Sequence, residues 1–458
     1  MHRIFWFFSP LLIALLLLAG CADLTQTPYQ RPAAELPAKW AHGQGKGRAM
    51  EDRWWAAFGD PALDRLIAEA LRRNNDLAIA ALRVRQAQLR AEQADSDRLP
   101  SLAAQANASH SKNLRHHNRA DTFSTSIFSS YQADLWGTLT SASDAARWEA
   151  RATEDDLANT ALALTGTTAM LYWQIGYLNQ RIELGRASIA YARRSLELAR
   201  AQKAAGAASS LEILEAERNV VAQEANQTTL IQQRVEAMNQ LAILFDGPPE
   251  SLTAAAPENL GCIRLPEVAE GLPAHLLARR PDVRAAEARL RAALAATDAT
   301  RTGFYPTLTL SGSLGGSSAE LSRIVSDPVG ALAANLALPF VQWRDMRRAI
   351  GISEAEYQQT VIAFRQTLYT ALAEVENSLS ARQQYREQAN QLERGLDLAR
   401  QTEELYRVRY QAGGAPLKFW LDAQQNRRQA EIELAANRLD QLANHVALVK
   451  ALGGGFNE

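Results

Sequence analysis

Residues 157–182 read LANTALALTGTTAMLYWQIGYLNQRI, and they lie inside a run from Thr138 to Ala204 that contains no proline. Within it Leu157, Ala161, Leu164, Thr168, Leu171, Ile175, Leu178, Ile182, Gly185, Ile189, Ala192, Leu196 and Ala199 recur at alternating spacings of four and three. That alternation is a heptad seam, the pattern of a helix packed along its whole length against another. At about 1.5 Å per residue such a helix reaches roughly 100 Å, longer than a compact domain can use. Ala158, Ala163, Gly166, Ala169 and Gly176 lie off the seam, so a second flank can approach another helix closely. A helix with neighbours on both sides belongs to a barrel or sheath rather than to a two-stranded coil.

The 458 residues carry a net charge of −1, with acids and bases interspersed, which gives no electrostatic footprint for nucleic acid. Residues 1–20 have the form of an export signal, with Arg3 ahead of an apolar run. Leu18-Ala19-Gly20-Cys21 matches a bacterial lipobox, which makes Cys21 the expected lipidated first residue of the mature chain. Ala22 follows where an aspartate would favour the inner membrane, so the expected destination is the outer membrane. Cys262 is then left without a partner, which excludes a disulfide framework. Past the signal no segment holds the roughly 18 apolar residues of a spanning helix, so any span must be made by strands.

An arm rich in Pro, Gly and Gln runs over 21–59. Asp60 then caps a helix opening at Pro61, and a second helical stretch ends before Pro100. There the period changes to two. Leu102, Ala104, Ala106 and Ala108 alternate with polar or small residues, and after a polar loop Phe123, Ile127, Tyr131 and Ala133 do the same. A hairpin over 101–136 with weak alternation and terminal Tyr131 and Trp136 fits transmembrane strands. The long helix 138–204 turns at Gly206 and returns over 210–245.

The order then repeats. Asp76, Ala80, Pro100 and Leu102 recur as Asp282, Ala286, Pro306 and Leu308, and Trp136, Gly206 and Leu214 as Trp343, Gly413 and Leu421. The first repeat spans 60–250, a linker 251–273, and the second repeat 274–458, with its hairpin over 304–341 and its return helix over 416–452. Its long helix carries Val361, Phe364, Leu368, Ala371, Val375 and Ser378 as a second seam. Two strands per repeat give four per chain, too few to close a membrane barrel. An open edge in lipid leaves backbone groups unpaired, so the chain must oligomerise, and three copies supply twelve strands.

Trp54-Trp55, Phe58 and Asp60-Pro61-Ala62-Leu63, then Tyr131 to Gly137, Gly271-Leu272-Pro273, Arg279-Arg280-Pro281-Asp282-Val283, Ala286-Glu287, Phe304-Tyr305-Pro306, Glu374-Val375-Glu376 and the glycine triplet 453–455 follow one another in a recognisable order. In this order they resemble the outer-membrane factor (TolC-like) family, in its lipoprotein branch serving resistance-nodulation-division efflux systems. The resemblance implies an α+β membrane protein, a trimeric twelve-stranded β-barrel continued by a long periplasmic α-helical barrel. It also implies a periplasmic adaptor and an inner-membrane pump as partners, outer-membrane lipid around the barrel, and no cofactor beyond the lipid on Cys21. Leu338-Pro339-Phe340-Val341 departs from the glycine-bearing turn of relatives and leaves the local strand-to-helix geometry open.

The same resemblance points to the helix turns at Gly206 and Gly413 as adaptor contacts and to acids just beyond them as a periplasmic gate. Glu212 and Glu215 stand six and nine residues after Gly206, and Phe419 and Asp422 occupy the matching places after Gly413. Glu215, Tyr410 and Asp422 keep the family pattern, Phe419 departs from it, and Ala415 stands where some relatives carry a locking arginine. Glu212 also fits a capping box with Ser209. An acidic ring at a constriction predicts preference for cations. His110, His116 and His117 suggest a metal site, which a solvated loop tip explains equally well. No nucleophile, base and acid gather in a motif and no phosphate-cradling glycine loop is present, so the expectation is a channel rather than an enzyme. A periplasmic coiled-coil lipoprotein leaves the two hairpins unused, and a passive pore has no use for a helix of roughly 100 Å.

Overall fold

The computed structural model describes residues 25–43, 53–112, 114–115, 119–248, 257–260, 263–269 and 273–454. Helices α1 (Pro61–Arg73) and α2 (Asn75–Ser96) lead into strands β1 (Ser101–Lys112) and β2 (Arg119–Ala133). Helix α3 (Thr138–Ala204) follows, and α4 (Ser210–Leu244) returns. The second half repeats the series as α5 (Pro281–Thr302), β3 (Thr307–Ser318), β4 (Val329–Ala337), α6 (Trp343–Gln411) and α7 (Leu417–Ala451).

The chain forms two compact units that cut across the sequence repeats, each unit drawing on both halves. One comprises residues up to Ala34, Ala81–Asp155 and Arg284–Thr367, and holds the strands. The other comprises Glu35–Ala80, Asp156–Val283 and Leu368–Glu458, and is helical.

In the first unit the strands form one antiparallel meander, in the order β1-β2-β3-β4. Register decides the character of its two faces, because residues directly opposite each other share a face. Leu102 opposes Ser129, Ile127 opposes Leu314, Tyr131 opposes Leu310 and Gly312 opposes Leu332. The neighbouring rows place Gln105 against Ser126, Ser130 against Ser311 and Thr309 against Asn335. One face is therefore apolar and the other polar, with Phe128 the large exception on the polar side. The apolar face is uncovered: Leu332 is 94% exposed and Leu102 76%. Beyond Phe123 the apolar face ends in charge, with His110 opposite Asp121 and Lys112 opposite Arg119. No described helix is long and apolar enough to cross a membrane.

The two strand-to-helix junctions differ. Between β2 and α3, Gly137 takes φ +71°, and the Asp134 carboxylate accepts from the backbone N–H groups of Leu139 and Thr140 at 3.0 and 2.8 Å, capping α3. Between β4 and α6, the Leu338-Pro339-Phe340-Val341 departure forms a tight 3-10 turn over Pro339–Val341. Proline fixes φ there, and no left-handed residue is needed.

In the second unit α3 is buried on two faces. Leu164, Leu171, Ile175 and Leu178 of its seam pack with Ala237, Leu241 and Phe245 at the end of α4. Leu162, Ala169, Tyr172 and Trp173, on the other flank, pack with Leu442, Val446 and Val449 of α7 and with Trp54, Trp55, Leu63 and Ile67. Gly166 permits this approach, since a Cβ there would lie 2.9 Å from Val446 Cγ1. Asp60, the cap of α1, also accepts a 2.8 Å hydrogen bond from Tyr172, which fastens α1 to α3. Helix α6 docks on the far side of α7, where Asn437 and Asn444 donate to the Tyr385 and Ser378 carbonyls. The row α4-α3-α7-α6 thus ends in two open edges. Both edges expose apolar residues seven apart, Leu214 and Val221 on α4 and Leu398 and Leu405 on α6.

Candidate functional site

The two helix turns close in the same way. Gly206 adopts φ +75° and Gly413 φ +73°, which glycine reaches without strain. In the first turn Ala207 N–H donates to the Gln202 carbonyl at 2.8 Å, and in the second Gly414 N–H donates to that of Arg409 at 2.8 Å. These bonds satisfy carbonyls that a helix end leaves free.

What surrounds the glycines differs. After Gly206, Ser209 and Glu212 form the capping box, with Glu212 accepting from the Ser209 backbone N–H. Lys203 donates to Ser210 at 2.9 Å and Arg200 pairs with Glu217 at 2.8 Å. Glu215 is exposed and makes no hydrogen bond or ion pair among the described residues. After Gly413 the helix opens at Pro416 with no side-chain cap. Aromatic stacking takes its place: Tyr410 lies on Trp420 at 5.6 Å between centroids, and Tyr406 on Phe419 at 5.8 Å. Phe419, the departure from the acidic pattern, therefore has a ring to rest on.

Asp422 is engaged on both oxygens. The Tyr191 hydroxyl of α3 donates to Oδ1 at 2.6 Å, and Lys418 Nζ lies 2.9 Å from Oδ2. Burial, reinforced by this acidic acceptor, pushes the Tyr191 hydroxyl up to about 12. Arg428 sits over the Tyr191 ring at 5.1 Å and is itself buried, donating to Gln425 Oε1 at 2.9 Å. Desolvation lowers its guanidinium below the usual arginine value. The structure thus places Tyr410 and Asp422 around the second turn, and no bond among the described residues joins them to Glu212 or Glu215. Sequence reading missed Tyr191, Arg428 and Trp420. The four-residue spacing of Tyr406 and Tyr410, facing Phe419-Trp420 across the turn, was an available signal for the stacks. Tyr191 and Asp422 stand 231 positions apart, and no local pattern pairs them.

The N-terminal arm is fastened by acids. In the first unit Thr27 donates to Asp298 through both its backbone N–H and its hydroxyl, each at 2.7 Å. Arg31 and Arg291 both reach Glu287, at 2.7 and 3.1 Å. Burial raises the Glu287 carboxyl, but the two guanidinium hydrogen bonds outweigh it and hold the group below the usual glutamate range. The Arg291 guanidinium also lies 4.2 Å from the ring centroid of Tyr29 on the arm and 4.7 Å from that of Trp148. In the second unit Ala41 and His42 donate their backbone N–H groups to Glu376 at 3.2 and 2.9 Å. Arg280 is buried and joins Asp282, Glu374 and the Ala451 carbonyl. The acids of the motif segments are therefore fasteners. Cys21, Cys262, His116 and His117 lie outside the described residues. His110 bonds Asp121 across the hairpin at 2.5 Å.

An uncovered sheet with one apolar and one polar face, joined in sequence to a row of long helices, defines a membrane channel protomer. The family model for outer membrane efflux proteins matches residues 66–245 and 272–454. The chain is 34% identical over 436 residues, 92% of each protein, to the pyoverdine export outer membrane protein OpmQ of Pseudomonas putida. It is 30% identical to the solvent efflux pump outer membrane protein SrpC of Pseudomonas putida, over 97% of this chain and 98% of the relative. The solved outer-membrane channel OprN superposes with a TM-score of 0.83 at 25% identity, covering 94% of this chain and 99% of that one. The open state of the MtrE outer membrane channel of Neisseria gonorrhoeae superposes with a TM-score of 0.82 at 27% identity, covering 94% and 98%. The chain belongs to the outer membrane efflux protein family. It is an outer-membrane protein and serves as the channel of an efflux system.

Proposed function

We propose that three copies of this chain form the exit duct of a tripartite efflux system, receiving small molecules from an inner-membrane pump of the resistance-nodulation-division type through a periplasmic adaptor. The observation that carries this is the pair of open edges. The four-stranded sheet ends in β1 and β4, both exposed along their length, and the helix row ends in the apolar stripes of α4 and α6. Edges of both kinds need partners, and three chains close twelve strands and twelve helices together. The polar strand face then lines the lumen and the apolar face meets lipid. Separation of trimer from monomer in mild detergent tests the assembly; a monomer that retained its full β content would overturn it.

Lipid on Cys21 anchors the arm that Asp298, Glu287 and Glu376 hold down. Acyl chains add membrane affinity while the barrel spans. Replacing Cys21 by Ser should abolish labelling by a fatty-acid probe, and undiminished labelling would overturn the anchor. The turns at Gly206 and Gly413 meet the adaptor, and Glu212, Glu215, Tyr410 and Asp422 form the periplasmic gate. The isolated trimer is mostly closed and prefers cations. Neutralising Glu215 and Asp422 together changes ion preference and conductance in planar bilayers; wild-type values for both would place the constriction elsewhere. Relatives of this chain are a pyoverdine export protein, OpmQ, and a solvent efflux pump component, SrpC, so ducts of one family serve unlike cargoes. Selection therefore lies upstream, in the pump.

A further inference from the structure

We propose that Tyr191 is a positioning residue: it holds Asp422 in a latch between α3 and α7, and so leaves Glu215 as the acid that selects cations. This rests on reading the two turns as a gate, and it divides the labour between acids that occupy matching places in the two repeats.

Both Asp422 oxygens are committed, one to the Tyr191 hydroxyl on α3 and one to Lys418. A carboxylate with an ammonium at hydrogen-bond distance has little net field left for an ion passing several ångströms away. Its orientation is fixed as well, because Tyr191 is itself held. The buried Arg428, which has no carboxylate partner among the described residues, covers its ring. The first repeat cannot build this device. At the same offset of 207, Lys418 corresponds to Leu211 and Tyr191 to Leu398, and neither leucine can bond an acid. Glu215, the counterpart of Asp422, is accordingly exposed and unpartnered among the described residues.

Packing is incomplete beside the latch. Next to it a polar cavity of about 430 Å³ separates the helices, with Gly185 and Ser188 of α3, Gln227 of α4, and Gln425 and Gln429 of α7 in its walls. Gln227 is buried and its Oε1 has no hydrogen-bond partner among the described residues. A stretch interrupted by such a cavity opens at lower cost than a filled one, so one well-made polar node can shift the balance between closed and open.

The test uses the full-length trimer in planar bilayers. Tyr191→Phe keeps the ring beneath Arg428 and removes only the O–H, so conductance through the resting channel should rise at least about fivefold. The preference for potassium over chloride should not fall. Glu215→Gln should lower that preference and leave opening unchanged. A Tyr191→Phe channel as closed as wild type overturns the proposal, as does selectivity that survives Glu215→Gln and disappears in Asp422→Asn. Thermal melting of Tyr191→Phe, Asp422→Asn and the double variant supplies a readout that needs no pore. Strong non-additivity supports the latch, and simple additivity refutes it. A wild-type trimer that conducts freely at rest would sink the gating reading of the turns, while the melting cycle would still decide the latch.

Discussion

Helices α3 and α6 hold equivalent places in the two repeats and are nearly equal in length, 67 and 69 residues, yet they are buried differently. Helix α3 packs α4 on one side and α7 on the other, with Trp173 at 1% exposure and Ile175 at 0%. Helix α6 buries one seam, Phe364, Leu368, Ala371, Val375 and Ser378, and leaves Leu398 and Leu405 in solvent. The repeats supply the same kind of helix twice, and the place in the row decides what each one does. A middle helix consolidates the protomer, whereas an edge helix keeps apolar surface for another chain.

Substitutions that attack the two helices should separate these roles. Trp173→Ala removes a ring from the middle of the larger core and should cost about 3–5 kcal/mol, lowering the denaturation midpoint of trimer and monomer alike. The paired change Leu398→Glu with Leu405→Glu alters two side chains that are 61% and 67% exposed in the protomer. It should leave helical content intact and dissociate the trimer on native electrophoresis; an intact trimer would show that α6 is not an interface.

Acid should act on the protomer core through His445. It lies beside Trp54 and Phe58 at 6.1 and 5.2 Å, and burial lowers its pKa from 6.5 to about 3. The unfolded chain therefore binds a proton that the folded chain refuses. This contribution is intact above about pH 6.5 and is lost progressively as pH falls toward about 3. His445→Phe should flatten that part of the stability profile, and an unchanged profile would assign the acid sensitivity to other groups. The smallest effects belong to the turns. Trp420→Ala should cost about 0.5–1.5 kcal/mol beyond its lost area by removing the stack on Tyr410. Glu212→Ala should cost about 1 kcal/mol or less through the capping box, as read from local hydrogen exchange.

Much of this was legible in the residues. The four-three seam over 157–182 becomes the buried stripe of α3, and the small residues Gly166 and Ala169 become the close face against α7. Periodicity carries such information because a helix or strand presents its faces at fixed intervals. The alternation after Pro100 and Pro306 likewise becomes the two faces of one sheet. Even the capping role of Glu212 follows from its three-residue distance to Ser209.

Local pattern could not supply the partners that distant segments bring. Asp298, Glu287 and Glu376 look like ordinary helical acids until the arm is laid on them, and Asp422 looks as free as Glu215 until Tyr191 reaches it. Nor do the repeats announce that the compact units run across them. The sequence by itself determined the elements, their faces and the need for other chains, because periodicity and unpaired edges are properties of each segment. Only the tertiary structure decided which acids are fasteners, which is a latch and which is left exposed, because a carboxylate's role depends on the donors that packing sets within about 3 Å of it.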